Sequence, residues 1–313
     1  MKGKDLLSIS DFDREEVLSL LSDAADMKAS GTWNSALKRK VLALVFEKPS
    51  LRTRVSFELA MRQLGGQVIY LSPAEVGLGH RESVADVTRV LDRFVNVLAA
   101  RTFSHSALEA MANYSDIPII NALSDLEHPC QALADLLTIS EHKGGFDGLT
   151  IAYVGDGNNV ANSLILAAAM VGINFNIASP KGYIIPDVIS RRAQILAAES
   201  GSQIVFSEDP TEAVSGADIV YTDTWTSMGQ ESEAAVRCQI FAKYQVNHNL
   251  LSLAKEDAIF MHPLPAHRGE EVTDEVIDSL QSVVIDQAEN RLHVQKALLF
   301  RLLGGTGSMA RSR

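Results

Sequence analysis

Cysteine is scarce: Cys130 and Cys238 are the only two in 313 residues. That is too few for a disulfide framework in a chain this size, and the two have no metal-ligand spacing. A reducing cytoplasm is the simplest compartment. Basic side chains are also short in supply, 28 against 39 acidic ones for a formal charge of -11. This balance argues against a general affinity for nucleic acid or an anionic membrane surface, so any anion site must be local. Long apolar runs are absent, and the N-terminus MKGKDLLSISDFDREEVLSLL sets acids among its apolar positions. Neither a signal peptide nor a spanning segment fits, and a soluble protein is expected. No fixed-period repeat or low-complexity tract points to a solenoid or fibre.

What is present is a 46% hydrophobic chain, long enough for two domains of roughly 150 residues. After an amphipathic helix from about Asp13 to Lys28, short apolar runs alternate with helical patterns, as in a mostly parallel α/β sheet. VLALVF, QVIYLS, VNVLAA and IPIIN read as four strands. The polar stretch EHKGGFDG, residues 141–148, suggests a boundary. LTIAYVG, NFNIASP, SQIVFS, DIVYTD and AIFMHP then read as a second open, doubly wound series. The closing GGTGSMARSR is read as a disordered tail.

FEKPSLRTRVSFELAMRQLGG, residues 46–66, goes from strand to loop to helix, with Ser50 as the cap and Gly65 and Gly66 at the end. A helix start is already electropositive, so Arg52 and Arg54 in its first turn suggest a bound phosphate; a capped helix with two solvated arginines is the plainer alternative. Arg101 in VNVLAARTF follows a strand, where ligand sites of open sheets collect. In IPIINALSDLEHPCQALADLLTI, Pro129 suits a first helical turn, and His128 and Gln131 can face one crevice or simply satisfy local backbone.

IAYVGDGNNVANSLILAAA invites a dinucleotide reading, and an NAD-dependent oxidoreductase is the rival of a different class. Yet Val160 occupies the third-glycine position, and NIASP lacks the ribose-binding acid. Asn158 and Asn159 are read instead as amides for the carboxylate or amino group of a small ligand, or as turn formers. Asp223 ends a strand and leads into a loop with Ser227, Met228 and Gly229, a candidate substrate-closing loop. His262-Pro263-Leu264-Pro265 is a stiff turn able to aim carbonyl oxygens at a ligand.

Together these stretches resemble the aspartate and ornithine carbamoyltransferase family from the N-terminal helix to about Leu303. The resemblance implies two similar open, mostly parallel-sheet α/β domains with the active site in the crevice between them. Residues 1–140, joined by the C-terminal helix 290–313, would bind carbamoyl phosphate, and residues 141–289 the amino acid. Carbamoyl phosphate contacts are implied for Ser50, Leu51, Arg52, Thr53, Arg101, His128, Pro129, Cys130, Gln131, Pro263, Leu264 and Arg291. Asn159, Asp223, Ser227 and Met228 match the amino-acid positions, and the SMG form resembles the ornithine-using branch. Catalytic roles are implied for Arg52, Thr53, Arg101, His128 and Asp223.

The implied reaction joins carbamoyl phosphate to the side-chain amine of L-ornithine, giving L-citrulline and phosphate in arginine metabolism, with no metal or cofactor. Aspartate, acetylornithine and putrescine are alternative acceptors. The resemblance also implies a homotrimer or a multiple of it. Two positions depart from the family pattern. Pro263 stands where the ornithine branch usually has cysteine, removing a thiol from beside the attacking amine. Gly77 stands where glutamine or histidine often reaches a neighbouring subunit, although His80 and Arg81 lie near.

Overall fold

The computed structural model describes residues 1–31, 33–77, 82–227 and 229–304. His80, Arg81, Met228 and the expected tail from residue 305 onward lie outside them. The chain divides into two compact units, Met1–Leu137 with the C-terminal residues from Glu289, and Thr138–Ala288. Each division falls inside a helix, Pro129–Lys143 and Val284–Leu302. The C-terminal helix starts at Val284, before the expected 290, and ends at Leu302, with Gly304 at φ 62° just beyond it.

Unit 1 holds a parallel sheet of β1 (Val41–Phe46), β2 (Gln67–Leu71), β3 (Val97–Arg101) and β4 (Ile119–Leu123), in the order β2-β1-β3-β4. The unbroken apolar runs of β1 and β3 suit strands covered on both faces, and both are buried almost throughout. The outer edge of β4 is covered by the N-terminal segment, where the Leu6 N–H donates to Ile119 O and Leu6 O accepts from the Asn121 N–H. Arg14–Ser30, capped by Asp13 and closed by Gly31 at φ 58°, is the expected N-terminal helix.

Unit 2 holds β5 (Thr150–Val154), β6 (Asn174–Ala178), β7 (Ile204–Ser207), β8 (Ile219–Tyr221) and β9 (Ile259–Met261), all parallel, in the order β7-β6-β5-β8-β9. The helix Asn159–Val171 is mostly apolar and buried all round from Val160 onward, Asn162 and Ser163 included, which makes it a core element.

Candidate active site

In unit 1 the chain passes from β1 to β2 on one side and later to β3 on the other. The carboxyl ends of β1 and β3 therefore flank a topological switch point, where open α/β sheets bind ligands. Ser50 follows β1 and caps the helix Leu51–Gln63, its Oγ accepting from the Thr53 N–H at 3.4 Å. Ser50 Oγ also donates to Thr53 Oγ1 at 3.0 Å, and Arg291 Nη2 donates to that same Thr53 oxygen at 2.8 Å. Arg101 closes β3, where the ladder with β4 slips between Ala100 and Arg101.

Arg101 is only 6% exposed. Burial, with Arg291 and Arg52 nearby, pushes its guanidinium down to about 10, and burial also lowers Arg52. Among the described residues no carboxylate acts on either, and Arg101 Nε is buried there with no hydrogen-bond partner. Cations brought together without an acid repel one another, an arrangement that an anion relieves.

Arg54 behaves differently. Two residues along a helix is a rotation of roughly 200°, so it cannot share the direction of Arg52. It pairs with Glu58 at 2.8 Å and lies over the Tyr70 ring at 3.9 Å. The expectation that both arginines meet the anion thus reduces to Arg52.

His128 stands just before the helix Pro129–Lys143 and is buried. Burial, Arg291 and Arg101 hold its imidazole well below the usual histidine range, so at neutral pH it is uncharged. Its carbonyl accepts from the Gln131 and Ala132 N–H groups. Gln131 Nε2 donates to Asp135 Oδ1 at 2.8 Å, which fixes the amide's orientation and leaves Oε1 buried with no partner among the described residues. Cys130 is buried and its thiol is pushed up to about 12 by burial, which makes it an unreactive packing residue.

In unit 2 the corresponding switch point lies between β5 and β8. Asn158 Oδ1 accepts from the Val160 and Ala161 N–H groups and caps the following helix, while its Nδ2 donates to Asp223 Oδ2 at 2.8 Å. Asn159 is the first residue of that helix. Burial raises Asp223 above the usual carboxylate range, opposed in part by the Asn158 bond. Ser227 donates its N–H to Gln230 Oε1 at 3.2 Å. A Cβ on Gly157 would collide with the backbone of Ile184 and Ile185, so this glycine serves a loop contact, and Val160 is buried in the helix. The GDG sequence has a packing explanation.

Pro263 is buried and Leu264 takes φ 50°, with a cis bond to Pro265. His262 Nδ1 accepts from the Leu264 N–H at 3.0 Å, so the ring proton sits on Nε2 and donates to Glu271 Oε1 at 3.0 Å.

Three supporting residues escaped the sequence reading. Asp135 is four residues beyond Gln131, a helical spacing that signals contact. Glu271 holds His262, with no local signature. Arg237 joins Asp156 at 2.8 Å and the Trp225 carbonyl at 2.8 Å, fixing the start of the Ser227 loop from 12 residues away. Burial raises Asp156 to about 6 although Arg237 pulls the other way.

The chain matches the carbamoyl-P binding domain of aspartate/ornithine carbamoyltransferase over residues 4–141 and the Asp/Orn binding domain over residues 147–302. It is 52% identical over 306 residues to an ornithine carbamoyltransferase of Anoxybacillus flavithermus, covering 97% of this chain and 98% of that one. Its fold aligns with ornithine carbamoyltransferase from Pyrococcus furiosus at a TM-score of 0.94 and 49% identity, covering 98% of this chain and 99% of that one. For the Thermus thermophilus structure of the same description the values are 0.87 and 47%, covering 96% and 98%.

Proposed function

Because the chain belongs to the aspartate/ornithine carbamoyltransferase family, we propose that it transfers the carbamoyl group of carbamoyl phosphate to the side-chain amine of L-ornithine, giving L-citrulline and inorganic phosphate. The observation that carries this reading is the convergence of Arg52, Arg101 and Arg291 on the capped start of the Leu51 helix, with no carboxylate among the described residues acting on Arg52 or Arg101.

Arg52, Arg291 and the free N–H groups of the helix start take the phosphate and stabilise the charge it gains on leaving. Arg101, Thr53 and the neutral imidazole of His128 address the carbonyl oxygen, which becomes an oxyanion when the amine nitrogen attacks. Gln131 Oε1 accepts from the carbamoyl amide, Asp135 having fixed which way the side chain faces. The N–C bond forms, the C–O bond to phosphate breaks, and the nitrogen, which attacks as the neutral amine, gives one of its two protons to the departing phosphate and keeps the other in the neutral ureido product.

Asp223, backed by Asn158, positions the amino acid together with Asn159, Ser227 and Met228. A carboxylate favours the ammonium form, so its role is positioning before deprotonation. The Leu264 carbonyl, presented by a turn that His262 pins, serves as an acceptor for a substrate N–H.

A homotrimer is part of this reading. Leu51, Val55 and Leu59 are 76%, 44% and 37% exposed and recur every fourth residue on one helix, with Ile69 exposed nearby in sequence on β2. Such an apolar row suits burial against another copy. Both cysteines are unpaired, which fits a reducing cytoplasm, and no described helix is long and apolar enough to cross a membrane.

The test is citrulline formation from carbamoyl phosphate and ornithine, run beside aspartate, putrescine and acetylornithine. Preference for ornithine is expected; faster carbamoylation of another acceptor would reassign the substrate, an outcome to which Pro263 gives weight.

A further inference from the structure

Gln287 has no part in the contacts assigned to substrates, yet it is 0% exposed and stands one turn before Arg291 on the helix Val284–Leu302. Its Oε1 accepts from the His262 N–H at 2.9 Å, and its Nε2 donates to the Tyr221 hydroxyl at 3.1 Å. A backbone N–H can only donate, so the amide has one orientation here and the Tyr221 oxygen is the acceptor. Tyr221 ends β8, and His262 follows β9. A buried side chain bonded to groups at two strand ends fixes where they lie relative to one another, and its loss leaves a buried N–H stranded.

Both groups lead to residues assigned to the substrates. His262 is held through its N–H by Gln287 and through Nε2 by Glu271, and its Nδ1 accepts from the Leu264 N–H. Leu264 is at φ 50°, a left-handed conformation that a residue with a β-carbon keeps only where its surroundings fix it. The direction of the Leu264 carbonyl therefore depends on where His262 is set. On the other branch, the Tyr221 ring stacks on Tyr153 with centroids 5.7 Å apart, just before Asp223 in the chain. The Tyr153 hydroxyl donates to Asn158 Oδ1 at 3.4 Å, and Asn158 Nδ2 donates to Asp223 Oδ2 at 2.8 Å.

We propose that Gln287 is a positioning residue for the amine acceptor: it sets the Leu264 carbonyl, through His262, against Asp223, through Tyr221. Arg52, Arg101 and Arg291 take the phosphate without it, so its loss spares anion binding and impairs attack by the amine. The effect on turnover rests on the carbamoyl-transfer reading; the hold on the turn does not. Gln287→Met keeps the side-chain volume and removes both of these bonds. Gln287→Glu keeps an oxygen for the His262 N–H, and the Tyr221 hydroxyl, able to donate as well as accept, turns its proton toward the second oxygen.

Amide hydrogen exchange of the full-length protein without substrates, followed by mass spectrometry, should be faster over the stretch from Ile259 to Arg268 in Gln287→Met than in the wild type. In carbamoyl transfer Gln287→Met should lower kcat/KM for ornithine about tenfold or more, while the inhibition constant of inorganic phosphate moves less than about twofold. Gln287→Glu should regain part of the loss. Tyr221→Phe, which frees Nε2 alone, should lower kcat/KM about threefold; it decides the case should Gln287→Met not fold, and no loss there then overturns the proposal. Unchanged exchange or unchanged kcat/KM in Gln287→Met overturns it, as does an equal loss of phosphate affinity, which marks a general disturbance of the helix. A wild type that does not carbamoylate ornithine overturns the proposed function instead, and exchange then decides whether Gln287 holds the turn.

Discussion

Arg291 Nη2 donates to Thr53 Oγ1 at 2.8 Å, joining positions 238 residues apart in the chain. The C-terminal helix thereby adds Arg291 to the group proposed to hold the phosphate, which begins after the first strand of unit 1 and brings Arg291 near Arg101.

Arg101→Met should separate function from stability. Loss of one preorganised donor is expected to cost at least about 10²-fold in kcat/KM for carbamoyl transfer. The ligand-free protein should melt at the same temperature or higher, because a buried cation that repels two others is replaced by an apolar side chain of similar volume. Inorganic phosphate should raise the melting temperature of the wild type more than that of the variant. A destabilised variant with near-normal turnover would contradict both halves.

Asp135→Ala tests the orientation of Gln131. With its Nε2 released, the amide is free to turn and present a donor where an acceptor is needed. A fall in kcat of about tenfold or more is expected, partly regained in Asp135→Asn, whose Oδ1 still accepts. Unchanged kcat in Asp135→Ala would show that Gln131 needs no such support.

The pH dependence of stability should carry a signature of Asp156. Its folded value of about 6 lies above the unfolded 3.8. The folded protein therefore holds a proton there, between those limits, that the unfolded chain has lost. The resulting stabilisation is complete below pH 3.8 and lost as pH rises through 6. Relative to Asp156→Asn, the wild type should lose about 1–3 kcal/mol of unfolding free energy across that window and change little above it. A flat difference would place the carboxyl in the ordinary range.

Turnover should climb with pH from 7 upward, since a primary amine titrates near about 10 and only its neutral form attacks. His128 adds no titration in that range, being held well below 6.5. A flat profile would mean that deprotonation of the amine does not limit the rate.

Pro263→Cys should raise kcat/KM for ornithine by restoring a thiol beside the amine. The Leu264–His262 bond involves no atom of residue 263, so the turn should persist. An unchanged value would refute a role for the thiol.

The two parallel sheets were legible because VLALVF and IAYV are short apolar runs flanked by turn residues, the mark of strands buried on both faces. Ser50 as a cap was legible for a local reason, its contact being only three residues away. The separate fates of Arg52 and Arg54 follow from helical rotation, which spacing alone contains but the shared motif obscures. Glu271 and Arg237 were not legible: each acts on a backbone or ring brought near by tertiary folding. The division of the chain inside helices was equally hidden, because a helix that crosses between units has the same periodicity as one that does not.

That division has a bearing on synthesis. Unit 2 is one continuous stretch, residues 138–288, whereas unit 1 takes its residues from both ends of the chain. A polypeptide made from its N-terminus offers Arg52 and Arg101 long before Arg291 exists. Unit 2 can finish folding first, and the Arg291–Thr53 bond can form only after the last helix has been made, so a product cut before that helix would lack one of the three arginines proposed for the phosphate.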